Sequence, residues 1–158
     1  MSESSPIEVL VQGAHALAQG RDASSILDGI LSGIAGVAEA DSGAIFVPAG
    51  AAGELAIVAS LGFGADTAAG LTAAVRHPGH AVARTFASGE TGYDVLPGAP
   101  GGPALRTHLP LVVGRDGTEH VVGVLALAHD RPIDPGLRPV LVAVADLAAL
   151  AIDRRRDG

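Results

Sequence analysis

The residues from Leu105 to His129, LRTHLPLVVGRDGTEHVVGVLALAH, constrain the fold of this chain more than any other stretch. Two runs of β-type residues are joined by Gly114-Arg115-Asp116-Gly117, which is a hairpin signal. The second arm, Val121 to Ala128, is apolar at every position, so neither of its faces alternates into water. It has to be a central strand covered on both faces. The first arm differs: if it alternates, Arg106, His108 and Pro110 share one face while Leu105, Thr107, Leu109 and Leu111 share the other. One face of the hairpin is therefore expected to meet helices, and the other a small-molecule pocket.

The flanking sequence supplies the cover. Apolar residues recur at Ile7, Leu10, Val11, Ala14, Leu17 and Ala18, one helical face that ends at Gly20. Asp22 or Ser24 then caps a second helix carrying Ile26, Leu27, Ile30, Leu31, Ile34, Val37 and Ala38. Gly29, Gly33 and Gly36 within it signal either close packing against a sheet or a weak helix. Ser42 to Pro48 and Glu54 to Leu61 form a second hairpin about Gly50 and Gly53. Gly62 to Val75 is Ala-rich and reads as irregular or weakly helical. Ala81 to Ser88 is a short helix ended by Gly89, Glu90 to Leu96 a brief strand, and Pro97 to Pro103 a loop. A last helix runs from about Asp134 to Arg155, with Val140, Leu141, Val144, Leu147, Ala148 and Ala151 on its apolar face. Strands that arrive as neighbouring hairpins predict an α+β fold with a largely antiparallel sheet. A length of 158 residues predicts a single domain, residues 1–158, with its core over about 5–155.

Composition excludes several classes of function. Net charge is −7 and all ten basic residues are Arg, so the field repels nucleic acid and anionic membrane. There is no cysteine, hence no disulfide, thiolate metal site or thiol nucleophile. The aromatics are only Phe46, Phe63, Phe86 and Tyr93, and each fills much of whatever space it enters. Met1 to Pro6 is polar and shows no secretory signal. The richest apolar segment, Pro139 to Ile152, contains Asp146 and is shorter than the roughly 20 residues of a membrane span. The expectation is a soluble, cytoplasmic protein.

The pieces ILDGILSGIAGVAEADSGAIFV (26–47), HAVARTFASGETG (80–92), Pro110-Leu111 and GVLALAHDRPIDPGLRPVLVAVADLAALAI (123–152) follow in an order that resembles the GAF domains, cytoplasmic relatives of the PAS sensors. The resemblance implies a twisted antiparallel sheet of five or six strands. The N- and C-terminal helices pack on one face, and a ligand cavity lies under short helices and loops on the other. It also implies dimerisation through the first and last helices and signalling to a partner or a fused output domain. The chain is then expected to be either a stand-alone sensor or a piece of a longer protein. GAF-type methionine sulfoxide reductases and phytochromes depend on cysteine, which is absent. The cyclic-nucleotide pattern is missing from His129 to Asp134, and where haem-binding relatives place an axial His this chain has Gly102 or Pro100. Haem would need another His, and the cofactor is left unknown.

Tyr93 and Asp94, on the strand bordering the family's cavity, together with Arg106 and His108 on the polar strand face, are the candidate ligand-binding residues. The plain alternatives are a rim aromatic with an Asx-turn aspartate, and a core-edge His satisfied by a backbone carbonyl. His77 and His80 are three apart, but Pro78-Gly79 interrupts them, which favours a cap-and-turn role over a metal site. His120 and His129, at strand ends, are expected to be solvated. Gly98 to Gly102 lacks the ending of a phosphate loop, and Arg154 to Arg156 oppose a helix dipole. Ser88, Asp94 and His108 form no convincing triad, so no catalytic or metal residue is assigned. The leading expectation is a non-catalytic sensory module that binds a small molecule or a signalling partner as a homodimer. A ligand-free dimerisation module is the alternative, ahead of a haem or metal sensor and a histidine-based enzyme.

Overall fold

The computed structural model describes residues 5–96 and 103–157, with side chains through residue 154. Helices α1 (Pro6–Ala18) and α2 (Ala23–Val37) are followed by strands β1 (Ser42–Ala49) and β2 (Glu54–Leu61), then by α3 (Ala65–Ala74) and α4 (Ala81–Ser88). Strand β3 (Gly92–Val95), the hairpin of β4 (Leu105–Arg115) and β5 (Thr118–His129), a 3₁₀ turn (Pro135–Leu137) and α5 (Arg138–Asp157) complete the chain. All pairings are antiparallel, in the order β2-β1-β5-β4-β3. The doubly covered arm is indeed the central strand. Asp116 and Gly117 turn the hairpin with φ of 51° and 78°, the left-handed pair that a tight two-residue hairpin turn requires.

α1, α2 and α5 cover one face of the sheet. Leu109, Leu111, Leu125 and Leu127 meet Leu27, Ile30, Leu31, Ile34, Leu141, Val144 and Ala148 there in the main core. α3 and α4 lie on the other face, where Phe46, Val124, Val82, Val75 and Leu55 form a smaller core flanked by Phe63, Phe86 and Leu71. Three of the four aromatics thus fill the space over β1 and β5. The Ala-rich segment is helical, but α3 buries none of its residues.

Local signals explain where the elements begin and end. Ser5 caps α1, with Pro6 in its first turn, and Asp22 caps α2, accepting from the backbone and hydroxyl of Ser25. Two readings of the helices are corrected. In α1 the buried residues are Val9, Gly13 and Ala16, whereas Ile7 and Val11 are 70% and 58% exposed. An apolar stripe on a short helix has two flanks, and α1 turns the one with smaller residues inward because α2 and α5 approach closely. α5 starts only after the 3₁₀ turn, and by length and composition Pro135–Arg154 would be apolar enough to cross a membrane. Leu141, Val144, Ala148 and Ala149 are nevertheless fully buried against the sheet and the other helices. Arg154 donates to the carbonyl of Leu17 in the last turn of α1, and Arg115 at the hairpin tip pairs with Asp153, so α5 is tied at its far end to both.

The glycines of α2 split. A Cβ at Gly33 would sit 2.8 Å from Cγ1 of Val9, whereas at Gly29 and Gly36 it would meet nothing. Only Gly33 is required by close packing, and the close neighbour is α1 rather than the sheet. Val9 is buried and β-branched, so it has little freedom to give way. Gly33→Ala is therefore expected to destabilise the protein by about 1–3 kcal/mol. Gly29→Ala and Gly36→Ala should each stabilise it by about 0.5–1 kcal/mol through helix propensity. Urea unfolding of the three variants checks the contrast.

Candidate functional site

Thr107 and His108 are adjacent on β4 and face opposite ways. Thr107 points into the helical layer, fully buried, and its hydroxyl lies 2.8 Å from Nε2 of His129. His129 is 0% exposed, which corrects the expectation of a solvated strand end. Its Nδ1 lies 2.7 Å from the carbonyl of Arg131, and a carbonyl can only accept, so Nδ1 carries the proton and Nε2 accepts from Thr107. The same hydroxyl accepts from the backbone N–H of Asp94 at 3.3 Å. Asp94 in turn accepts from the N–H of Ile133 at 2.8 Å and lies 3.8 Å from Arg138, whose guanidinium sits 4.4 Å above the centre of the Tyr93 ring. Asp94 holds φ at 54°, a left-handed conformation that Asp tolerates, and β3 is irregular there. These contacts fasten β3 and β5 to the start of α5.

Tyr93 and Asp94 consequently belong to the helical side of the sheet. The expectation that they face a common cavity with Arg106 and His108 fails, because the irregularity between Gly92 and Val95, with Asp94 in a left-handed conformation, breaks the alternation of β3 and leaves Tyr93 and Asp94 toward α5 while Gly92 and Val95 line the other layer. Arg106 is on the same face as His108, but its guanidinium donates to the carbonyls of Pro103 at 2.7 Å and Leu105 at 3.2 Å. Of the four candidates only His108 lines the cleft.

That cleft, of about 610 Å³, lies between α4, β3 and β4, with Arg84, Thr85 and Ser88 on the helix, Glu90 to Gly92 after it, and His108 behind them. The sheet is shallow at this point because the cross-strand neighbours of His108 are Gly92 and Ala126. His108 is 6% exposed and its imidazole forms no hydrogen bond to any described residue, so it is not the carbonyl-satisfied core histidine of the plain alternative. Thr85, 7% exposed, likewise has no hydrogen bond from its hydroxyl to a described residue. Both residues line the cleft, and their polar atoms keep contact with solvent. Burial, reinforced by the positive charges of His80, Arg106 and Arg84, pushes the His108 imidazole down to about 4, so it is neutral at pH 7 and offers one donor and one acceptor. His80 caps α4, its Nδ1 accepting from the N–H of Val82 at 3.1 Å, which is the cap role expected for it. Burial lowers its pKa also, with Arg84 and His77 adding to the effect.

Arg84 and Thr85 had no signal in sequence beyond their place on a short helix. What could have drawn attention to them is that α4 follows a histidine cap and sets polar residues opposite the polar face of β4. A second hollow of about 520 Å³ at the α1–α2 turn is lined by Arg21, Asp22, Ser24 and Arg154, but Asp22 is used as a cap and Arg154 as a donor to Leu17. Among the described residues no group of three or more His, Cys, Asp or Glu is placed to hold a metal ion. The glycine run Gly98 to Gly102 lies outside the described residues, as do the side chains of Arg155 and Arg156.

With the sheet order, the helical layer and the cleft established, the sequence matches the GAF domain family over residues 22–154. The chain belongs to the GAF domain family. Solved GAF structures share the fold. The domain from a phosphoenolpyruvate-protein phosphotransferase of Coxiella burnetii is 13% identical, with a TM-score of 0.74 over 96% of this chain and 95% of that one. The second GAF domain of DevS from Mycobacterium smegmatis is 24% identical, with a TM-score of 0.64 over 87% and 100%. The free methionine-R-sulfoxide reductase of Neisseria meningitidis, solved in complex with its substrate, is 16% identical, with a TM-score of 0.73 over 99% and 96%. A comparison with curated protein sequences finds no match. The GAF architecture expected from the sequence, α+β with the terminal helices on one face of an antiparallel sheet, is the one present. Among the described residues the sheet has five strands. GAF domains are a common sensory and regulatory module, and this one places its unpartnered polar groups on the face opposite the terminal helices.

Two measurements test the division of polar groups. His108 binds no proton in the folded state between pH 6.5 and about 4, whereas in the unfolded chain it does, so stability is full above pH 6.5 and falls as pH drops through that window. Between pH 7.5 and 4.5 the wild type should lose on the order of 2–3 kcal/mol more than His108→Gln, which lacks the titrating group; parallel curves in denaturant titrations would contradict the assignment. On the other face, Thr107→Val removes the partner of both His129 and the Asp94 N–H, at a cost of about 1–3 kcal/mol, whereas Thr107→Ser should keep most of the stability.

Proposed function

We propose that this chain is a non-catalytic sensory GAF module that binds a small polar molecule in the cleft between α4, β3 and β4. The observation that carries this reading is the imidazole of His108, largely covered yet without a hydrogen-bond partner among the described residues and open to solvent at the cleft it lines. No side-chain polar atom among the described residues is both buried and unpaired, so the ring nitrogens keep contact with solvent, where water or a ligand can complete them. Thr85 adds a second such group in the same cleft. Tyr93 and Asp94, assigned to the latch with α5, act in this reading through the backbone: a ligand against Gly92 and His108 would bear on the strand that the latch ties to α5. Residues 1–158 form one domain in this proposal, working in the cytoplasm and passing occupancy to a partner or to a fused output domain.

The same reading makes the module a homodimer through its terminal helices. Ile7 and Val11 on α1 and Val142 and Leu150 on α5 are exposed apolar residues on the outside of the helical layer, the kind of surface that a second copy would cover. This observation also favours the alternative, a dimerisation module that needs no ligand, since Phe46, Phe63 and Phe86 already fill part of the opposite face. An enzymatic role has less support. The chain has no cysteine for thiol chemistry, and among the described residues neither a carboxylate nor a hydroxyl is hydrogen-bonded to His108.

Amide NMR spectra recorded against a metabolite library discriminate the two readings. Binding is expected to perturb Thr85, Gly92 and His108 together, and His108→Leu should abolish the response while leaving the folded spectrum intact. A library that leaves the cleft unmoved, combined with a concentration-dependent dimer in sedimentation, would establish the ligand-free module instead.

A further inference from the structure

We infer that the cleft takes a small organic carboxylate, held by the Arg84 guanidinium and by hydrogen bonds from His108 and Thr85. This rests on the ligand-binding reading above and specifies its chemistry. Among the described residues, Arg76, Arg115, Arg131 and Arg138 each face a carboxylate, Arg106 and Arg154 donate to backbone carbonyls, and Arg21, also without such a contact, lies at the other hollow. Arg84 makes no ion pair and no hydrogen bond with a described residue, and it lines the cleft beside the two buried polar groups. An unengaged guanidinium offers a planar fork of donors matched to a carboxylate.

The surroundings favour the same charge. The whole protein is at −7, yet the groups that act on His108 are His80 and Arg84 from α4 and Arg106 from its own strand, all positive or protonatable to positive. Glu90 is the one acid among the residues lining the cleft, and it follows α4 at the exposed end, its N–H bonded to the Ser88 hydroxyl. A ligand would thus present its anionic end to the Arg84 side, next to His108 and Thr85, and its remaining part toward the opening. A neutral imidazole suits an anion only through its N–H, and the hydroxyl of Thr85 supplies a second donor. Binding an anion there would also draw a proton onto His108, with His80, Arg84 and Arg106 opposing and Glu90 assisting, so affinity should rise as pH falls.

The test compares carboxylic acids with their uncharged amides: propionate with propionamide, lactate with lactamide, and benzoate with benzamide, each titrated into the full chain and followed at the amides of Thr85, Gly92 and His108. At least one acid is expected to bind in the cleft about tenfold or more tightly than its amide, as a charge-assisted contact implies. Arg84→Gln, an exposed substitution that leaves the fold intact, should remove that preference. Amides that bind as well as their acids would overturn the carboxylate assignment and leave the ligand-binding reading standing. Amines that bind instead, and lose binding in Glu90→Gln, would also overturn it. Failure of every probe and of the metabolite library at the cleft would overturn the ligand-binding reading itself.

Discussion

A strand that is apolar on both faces has to be covered twice, and β5 imposes that requirement on the whole chain. Leu125 and Leu127 go into the helical layer and Val124 and Ala126 into the other, so two separate cores must exist. The covers are unequal. Three long helices seal one face, with Gly33 letting α1 sit directly on α2. Two short helices serve the other, and they reach only part of it. The aromatics compensate over β1 and β5, which leaves the surface of β4 beside α4 as the place where the second cover is incomplete.

That asymmetry decides what each polar residue of β4 does. Thr107 falls on the sealed side, where an unpaired hydroxyl would be expensive, and it is paired twice, to His129 and to the Asp94 backbone. His108, one residue on, falls on the incomplete side and has no hydrogen-bond partner among the described residues. The strand's period of two is enough to separate a structural histidine network from an open one. The sealed network also joins the strands to α5, because Asp94 bonds Ile133 and approaches Arg138 while His129 bonds Arg131. Any rearrangement of β3 at the cleft therefore bears on the first turn of the last helix.

Much of this was legible in the sequence. The hairpin, the central position of β5, the bounds of β2 and α4, and the division of β4 into two faces all follow from local pattern, because they depend on alternation and on turn residues that act over a few positions. The inward flank of α1 was not legible: Ile7 and Val11 are the larger apolar residues, and only the close approach of α2 and α5 selects Val9, Gly13 and Ala16 instead. The burial of His129 was also hidden, since it depends on Thr107, 22 residues away, and on the turn that brings Arg131 back. Tyr93 and Asp94 were placed on the correct strand but with the wrong surroundings, because a strand of four residues with a left-handed Asp carries too little pattern to show which layer it faces. The polar side of α4 belongs with these, as a contact between elements that no local period announces.

The central claim is that one histidine is locked into the sealed layer while another, on the opposite face, is neutral and open to a ligand. A long-range proton–nitrogen spectrum of the imidazole rings at pH 7 tests it directly. The account predicts His129 as a single Nδ1–H tautomer with a slowly exchanging proton, and His108 as a neutral ring whose proton exchanges rapidly and whose nitrogens shift when the cleft is occupied. A protonated His108, or one whose N–H is as protected as that of His129, would contradict it.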